Sequence, residues 1–207
     1  ARRNAVSQSD RAAWAKSQSR ADWESFVAPR IEALRASLGK FPEPPSDLHA
    51  QTTRTLDGDG YRVENVVFES RPGVFVTANV YVPAPLRERM PGVLIIHSHH
   101  NPKTQGELQD MGMIWARQGC MVLVIDQLGY GDRRQHQPGS RQDYRFRYIH
   151  GIQLHLIGDS LMGWMVWDLQ RGLDLLLARR GIDKDKIILI GSVAGGGDPA
   201  AVLAAVD

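Results

Sequence analysis

An α/β fold on a mostly parallel sheet is the architecture this sequence predicts, and three observations carry it. Continuous apolar runs at 93–96 and 121–125, and the run Ile187 to Ile190 of the segment 186–190, have the character of buried strands. Helical patterns separate these runs, giving the strand–helix–strand alternation of a parallel sheet with crossovers. The third run passes without a polar loop into Gly191-Ser192-Val193-Ala194-Gly195-Gly196-Gly197 and then into an apolar helical segment at 200–206. A strand that turns sharply into a helix through small residues has the backbone of a nucleophile elbow.

The elements follow in order. Residues 10–38 predict one or two helices, with Trp14, Trp23, Phe26, Val27, Ile31, Leu34 and Leu38 spaced by threes and fours along a stripe facing the core. Pro29 is expected to bend or restart the helix, and Gly39 with Pro42, Pro44 and Pro45 ends it. Residues 1–45 are thus read as a helical extension and linker, and 46–207 as the body of the domain. Segments 61–70 and 73–82, joined through Arg71-Pro72-Gly73, predict an antiparallel hairpin at the sheet's edge. Residues 108–118 predict a helix with Met111, Ile114 and Trp115 inward, and 145–156 a further helical segment. The clearest helix is 160–180, capped by Asp159 or Ser160 and ended by Gly181.

Composition narrows the function classes. The 207 residues suffice for one substantial core or part of a larger one. A net charge of +2, with basic and acidic residues mixed, gives no reason to expect a nucleic-acid partner. The single cysteine, Cys120, excludes an internal disulfide framework. No apolar stretch is long enough to span a bilayer, so no membrane partner is expected. Ala1-Arg2-Arg3-Asn4 lacks the apolar core of a signal peptide, and the chain fits a cytosolic protein or an exported one whose signal has been removed.

The candidate site gathers where strands end. His97-Ser98-His99-His100 leaves the first buried strand, and ligands of such sheets collect at the carboxyl ends of strands. Contact with substrate through an oxyanion loop at His99 and His100, and a structural turn, are both open readings. A metal is not expected, because adjacent side chains point apart and no supporting ligand motif is near. Asp126, ahead of Gly129-Tyr130-Gly131, reads as a clamp on loop amides, while Arg133 or Arg134 could close over an anionic or sugar ligand. Gly158-Asp159-Ser160-Leu161 spells a lipase motif, but its place at a helix start points to capping. The run 195–197 lacks the downstream Gly-Lys-Ser/Thr of a phosphate loop.

Two frames fit the elbow. The frame starting at Gly191 puts Val193 at the apex, where a β-branched side chain suffers at positive φ. The frame starting at Ser192 puts Ala194 there, which suits the backbone better but supplies no attacking atom. Ala194 is therefore taken as the nucleophile position, with the Gly195 N–H and the His99–His100 loop as oxyanion donors. Asp198 opens the last helix and is a candidate for a polar role in the pocket as well as for a helix-dipole interaction.

Taken together, the chain resembles an α/β-hydrolase of the acetyl xylan esterase-like or dienelactone hydrolase-like branch. The resemblance rests on His97-Ser98-His99-His100, on 126–133, on Ser160-Leu161-Met162-Gly163-Trp164, on 167–174, and on Ala194-Gly195-Gly196-Gly197 with the helix after it. It implies a protein acting on carboxylic esters, often acetyl esters of plant polysaccharides, through serine, acid and histidine without a cofactor. Alanine at the serine position would close the acyl-enzyme route. A noncatalytic carbohydrate-binding or assembly subunit, and an enzyme using His99 and Asp198 for proton transfer, are the alternatives. The acid and histidine expected after later strands have no counterpart here. Since the fold places strand 186–190 centrally, the remainder of a longer chain or a partner chain is expected to complete the sheet.

Overall fold

The structure, a computed structural model, describes residues 2–98, 102–137, 139 and 142–207. Two helices come first, α1 (Arg2–Trp14) and α2 (Arg20–Ser37). Ser19 caps α2: its hydroxyl accepts from the Asp22 N–H at 3.1 Å and its own N–H donates to the Asp22 carboxylate at 3.0 Å. This reciprocal pair satisfies amides that the first turn leaves unbonded. Pro29 lies inside α2 without ending it. The expected inward stripe is realised only near its end, where Leu34 and Leu38 join the core. Trp14 and Trp23 are exposed, and Trp14 instead stands edge-on to Phe26 at 5.5 Å.

The strands β1 (Gln51–Gly58), β2 (Tyr61–Arg71) and β3 (Val74–Pro83) form an antiparallel meander. The hairpin is present, but β1 rather than the hairpin takes the edge. Its sequence Gln51-Thr52-Thr53-Arg54-Thr55 buries no side chain, so it carries no apolar alternation to read. The chain continues through β4 (Met90–Ile96), α3 (Gly106–Arg117), β5 (Met121–Ile125), α4 (Gln142–Leu156), α5 (Leu161–Leu177), β6 (Ile182–Gly191) and α6 (Asp198–Val206). The sheet order is β1-β2-β3-β5-β4-β6. Strands β5, β4 and β6 run parallel, and β3 pairs antiparallel with β5, so a parallel half adjoins an antiparallel half.

Both faces of β4 are covered, which is why its sequence is apolar throughout. Leu94 and Ile96 belong to a cluster with Val166, Leu169 and Leu176 of α5 and Leu203 of α6. Val93 and Ile95 point the other way, into a cluster with Leu108 and Ala116 of α3. Full burial of each such side chain contributes roughly 1.5–3 kcal/mol. Met111 and Trp115 pack against that cluster as expected, but Ile114 is outside, and the fully buried positions of α3 are Leu108, Gly112 and Ala116. Gly112 sits against the Tyr81 ring, where a Cβ would collide, so the face that approaches the sheet is the one with the small residues. Strand β6 is the outer strand here, paired with β4, and Ile188 is 39% exposed.

Candidate functional site

Register brings the loops together. Ile96 pairs with both Ile125 and Gly191, so β4, β5 and β6 end at one level. From there β4 leads toward α3 on one face and β6 toward α6 on the other. Such a divergence opens a crevice beyond the strand ends.

The elbow has a different apex from the one the residue types suggested. The positive φ falls on Val193, at 59°, and its side chain is 62% exposed. Ala194 follows it in the short π-helical turn Val193–Gly197. The decisive constraint is backbone contact. A Cβ at Gly191 would overlap the Gly196 carbonyl, and one at Gly196 would overlap the Ile96 carbonyl. Shifting the frame by one residue would put Ser192 where only a glycine fits. A non-glycine residue in the left-handed region costs roughly 1–2 kcal/mol, less than a Cβ held 2.3 Å from a backbone oxygen. The positive-φ apex is thus Val193, an isopropyl group, and the N–H that follows it belongs to Ala194 rather than Gly195. Gly195 is buried and its carbonyl accepts from the Gln127 side chain at 2.8 Å.

Of the other predicted residues, His99 and His100 lie outside the described residues. Asp198 is exposed at the first turn of α6, where its charge suits the helix dipole, and it does not line the cavity beside the elbow. Among the described residues, no group of three or more His, Cys, Asp or Glu side chains could hold a metal. Ser160 caps α5: its hydroxyl accepts from the Gly163 N–H and donates to the Leu38 carbonyl, both at 2.9 Å.

Beneath the loops lies a buried polar brace. Gln127 joins all three strand ends: its side-chain amide donates to the His97 carbonyl at 2.6 Å as well as to Gly195, and its backbone N–H donates to His97 Nε2 at 2.8 Å. Two carbonyl acceptors fix the orientation of that amide. Because Nε2 accepts, the His97 proton sits on Nδ1, 2.6 Å from the Ser98 carbonyl. Burial pushes the His97 pKa down to about 4, so the imidazole is neutral and already fully engaged in holding the loop. Asp126, fully buried, accepts from the Lys103 N–H at 2.9 Å, Lys103 Nζ at 2.6 Å, Thr77 Oγ1 at 2.8 Å and the Asp132 N–H at 3.2 Å. It is the clamp its position suggested. Lys103 also bonds Asp132. Arg133 does not close over a ligand: it is buried against Asp168 at 2.8 Å and the Asp126 carbonyl at 3.0 Å. Arg134 is held by both oxygens of Asp143, at 2.9 and 3.0 Å.

Above the brace is a cavity of about 290 Å³, lined by Tyr130, Tyr144, Arg147, Tyr148, Leu161, Ala194 and Gly195. The α4 side chains in it were not singled out by sequence reasoning. Their signal was present: Tyr144, Arg147 and Tyr148 are spaced i, i+3, i+4 and therefore share a helix face.

Known proteins share this fold. The model described as Abhydrolase family matches residues 4–207. The chain is 26% identical over 180 residues to YtaP of Bacillus subtilis (strain 168), which carries a hydrolase name, covering 82% of this chain and 57% of that protein. It superposes on a Bacteroides fragilis NCTC 9343 protein titled as an acetyl xylan esterase with a TM-score of 0.75 at 19% identity, over 91% of this chain and 52% of that one. A glucuronoyl esterase from Solibacter usitatus gives a TM-score of 0.61 at 16% identity, over 91% and 57%. The chain therefore spans somewhat over half the length of these relatives.

Proposed function

From the premise that the chain belongs to the Abhydrolase family, with an α/β-hydrolase fold, we propose a carboxylic-ester hydrolase-like protein whose site binds esters without forming an acyl-enzyme at the elbow. The observation that carries this is Val193 at the exposed, positive-φ apex beside the cavity. Serine chemistry requires a hydroxyl there to attack the carbonyl carbon and a base to take its proton; an isopropyl group can do neither. The cavity and the N–H after the apex remain available to the ester carbonyl. The relatives named for acetyl xylan and glucuronoyl esters support carbohydrate esters as the ligand class.

A noncatalytic saccharide-binding role is the second reading, favoured by the exposed rings of Tyr144 and Tyr148 at the cavity wall. One experiment addresses both. The protein is mixed with an aryl acetate and followed by stopped-flow absorbance and intact mass. The expected result is no burst of aryl alcohol and no acetyl adduct. An adduct on Ser192, the exposed neighbour of the apex, would overturn the noncovalent reading. Steady turnover without an adduct would favour hydrolysis by water over binding alone. The expected loss of acetylated-sugar binding in Ala194→Leu, which fills the cavity, places the ligand.

The partner reading follows from β6. Its outer edge and half-exposed Ile188 suit pairing with a further strand, from a longer chain or a partner. Hydrogen exchange at the amides of 187–190 tests it. Slow exchange at the outward amides fits a paired edge, and fast exchange contradicts one.

A further inference from the structure

Resting on the ester-site reading, the geometry points to Arg147 as the residue that selects carboxylate-bearing saccharide esters, such as O-acetylated uronic acids, over neutral acetylated sugars. Arg147 is the only charged side chain among the described residues lining the cavity. The two arginines beneath or beside it are already neutralised, Arg133 by Asp168 and Arg134 by Asp143. Arg147 forms no ion pair with any described residue. Its Nη2 is directed at Met165 Sδ, 2.7 Å away, and its guanidinium carbon lies 5.1 Å from the centre of the Tyr130 ring. A thioether is a weak acceptor and a ring face takes none of the in-plane N–H groups, so the fork keeps donors for an anion.

The surroundings define the anion's chemistry. A guanidinium fork matches two oxygens of one carboxylate in a plane. Tyr144 and Tyr148 share the α4 face with Arg147 and offer flat apolar surfaces with polar tips, suited to the C–H face and hydroxyls of a sugar ring. Ala194 and Gly195 line the same cavity, where the ester would lie next to the elbow. One ligand thus spans a cation and an elbow within about 290 Å³, the scale of a monosaccharide unit.

The test is calorimetric titration of the protein with O-acetylated galacturonic acid, O-acetylated galactose and galactose 1-phosphate, at low and high salt. Binding of the acid is expected to be roughly 10- to 100-fold tighter than that of the neutral ester, the range of a charge-assisted hydrogen bond, and to weaken with salt. Arg147→Gln should remove the preference, lowering affinity for the acid at least tenfold more than affinity for the neutral ester, and Arg147→Lys should retain part of it. Equal affinity for acid and neutral ester in the unaltered protein, or a preference that survives Arg147→Gln, overturns the inference while the ester site stands. Tighter binding of the phosphate than of the uronate overturns the choice of carboxylate. Binding of none of the three defeats the ester-site reading as well.

Discussion

Two layers meet at the carboxyl ends of β4, β5 and β6, and they satisfy their charges in opposite ways. In the lower layer, Asp126 takes four hydrogen bonds, Lys103 lies between two carboxylates, and Arg133 is buried against Asp168. In the upper layer, α4 buries none of its residues, Arg147 faces a cavity whose described lining holds no carboxylate, and the apex is a strained valine. The lower layer holds the loops in place from beneath. The shape of the elbow therefore rests on its close backbone contacts and on the Gln127 bond beneath it rather than on the side chain at its apex.

The comparison breaks most easily at the brace. Asp168→Ala leaves Arg133 as an uncompensated buried charge and should destabilise the fold by about 3–5 kcal/mol. Urea unfolding measures it, and a loss below about 1 kcal/mol would show that the pair is not structural. A somewhat smaller effect is expected from acid. His97 titrates near 6.5 when unfolded and at about 4 when folded. Between those values the unfolded chain binds more protons, so stability falls as pH drops through that window. The loss amounts to roughly 3 kcal/mol by the lower end. Melting curves from pH 7 to 4 should be flatter in this window for His97→Asn, and matching slopes would remove His97 from the brace.

Smaller effects sharpen the upper layer. Val193→Gly relieves the left-handed strain and should stabilise by up to about 1 kcal/mol, after the greater chain entropy of glycine is subtracted. Ala194→Gly should instead destabilise by about 0.5–1 kcal/mol, since no positive φ is relieved there. The opposite ordering would return the apex to Ala194. The least change belongs to Tyr148→Ser on the exposed face of α4, within about 0.5 kcal/mol by the same unfolding assay.

Elements buried on both sides were legible because burial writes itself into residue type. The runs 93–96 and 121–125 are apolar at every position since each face of the sheet meets a helix. Strand β1 was silent for the converse reason, as none of its side chains is buried. The capping of α5 by Ser160 was readable because it is a local contact, three residues from donor to acceptor. The cavity face of α4 was spaced for recognition, but nothing in its sequence said which surface it would cover. The bracing role of Gln127 was not legible, because its two partners, His97 and Gly195, belong to segments far from it in the chain.

The sequence by itself determined the parallel strands, the crossover helices and the small-residue turn, and with them the kind of fold. Only the tertiary structure decided which residue stands at the apex. Local preference disfavours a β-branched residue at positive φ and spoke for Ala194. The folded-back Gly196 carbonyl permits no Cβ at Gly191, where a shifted frame would put Ser192, and that contact set the frame on Val193.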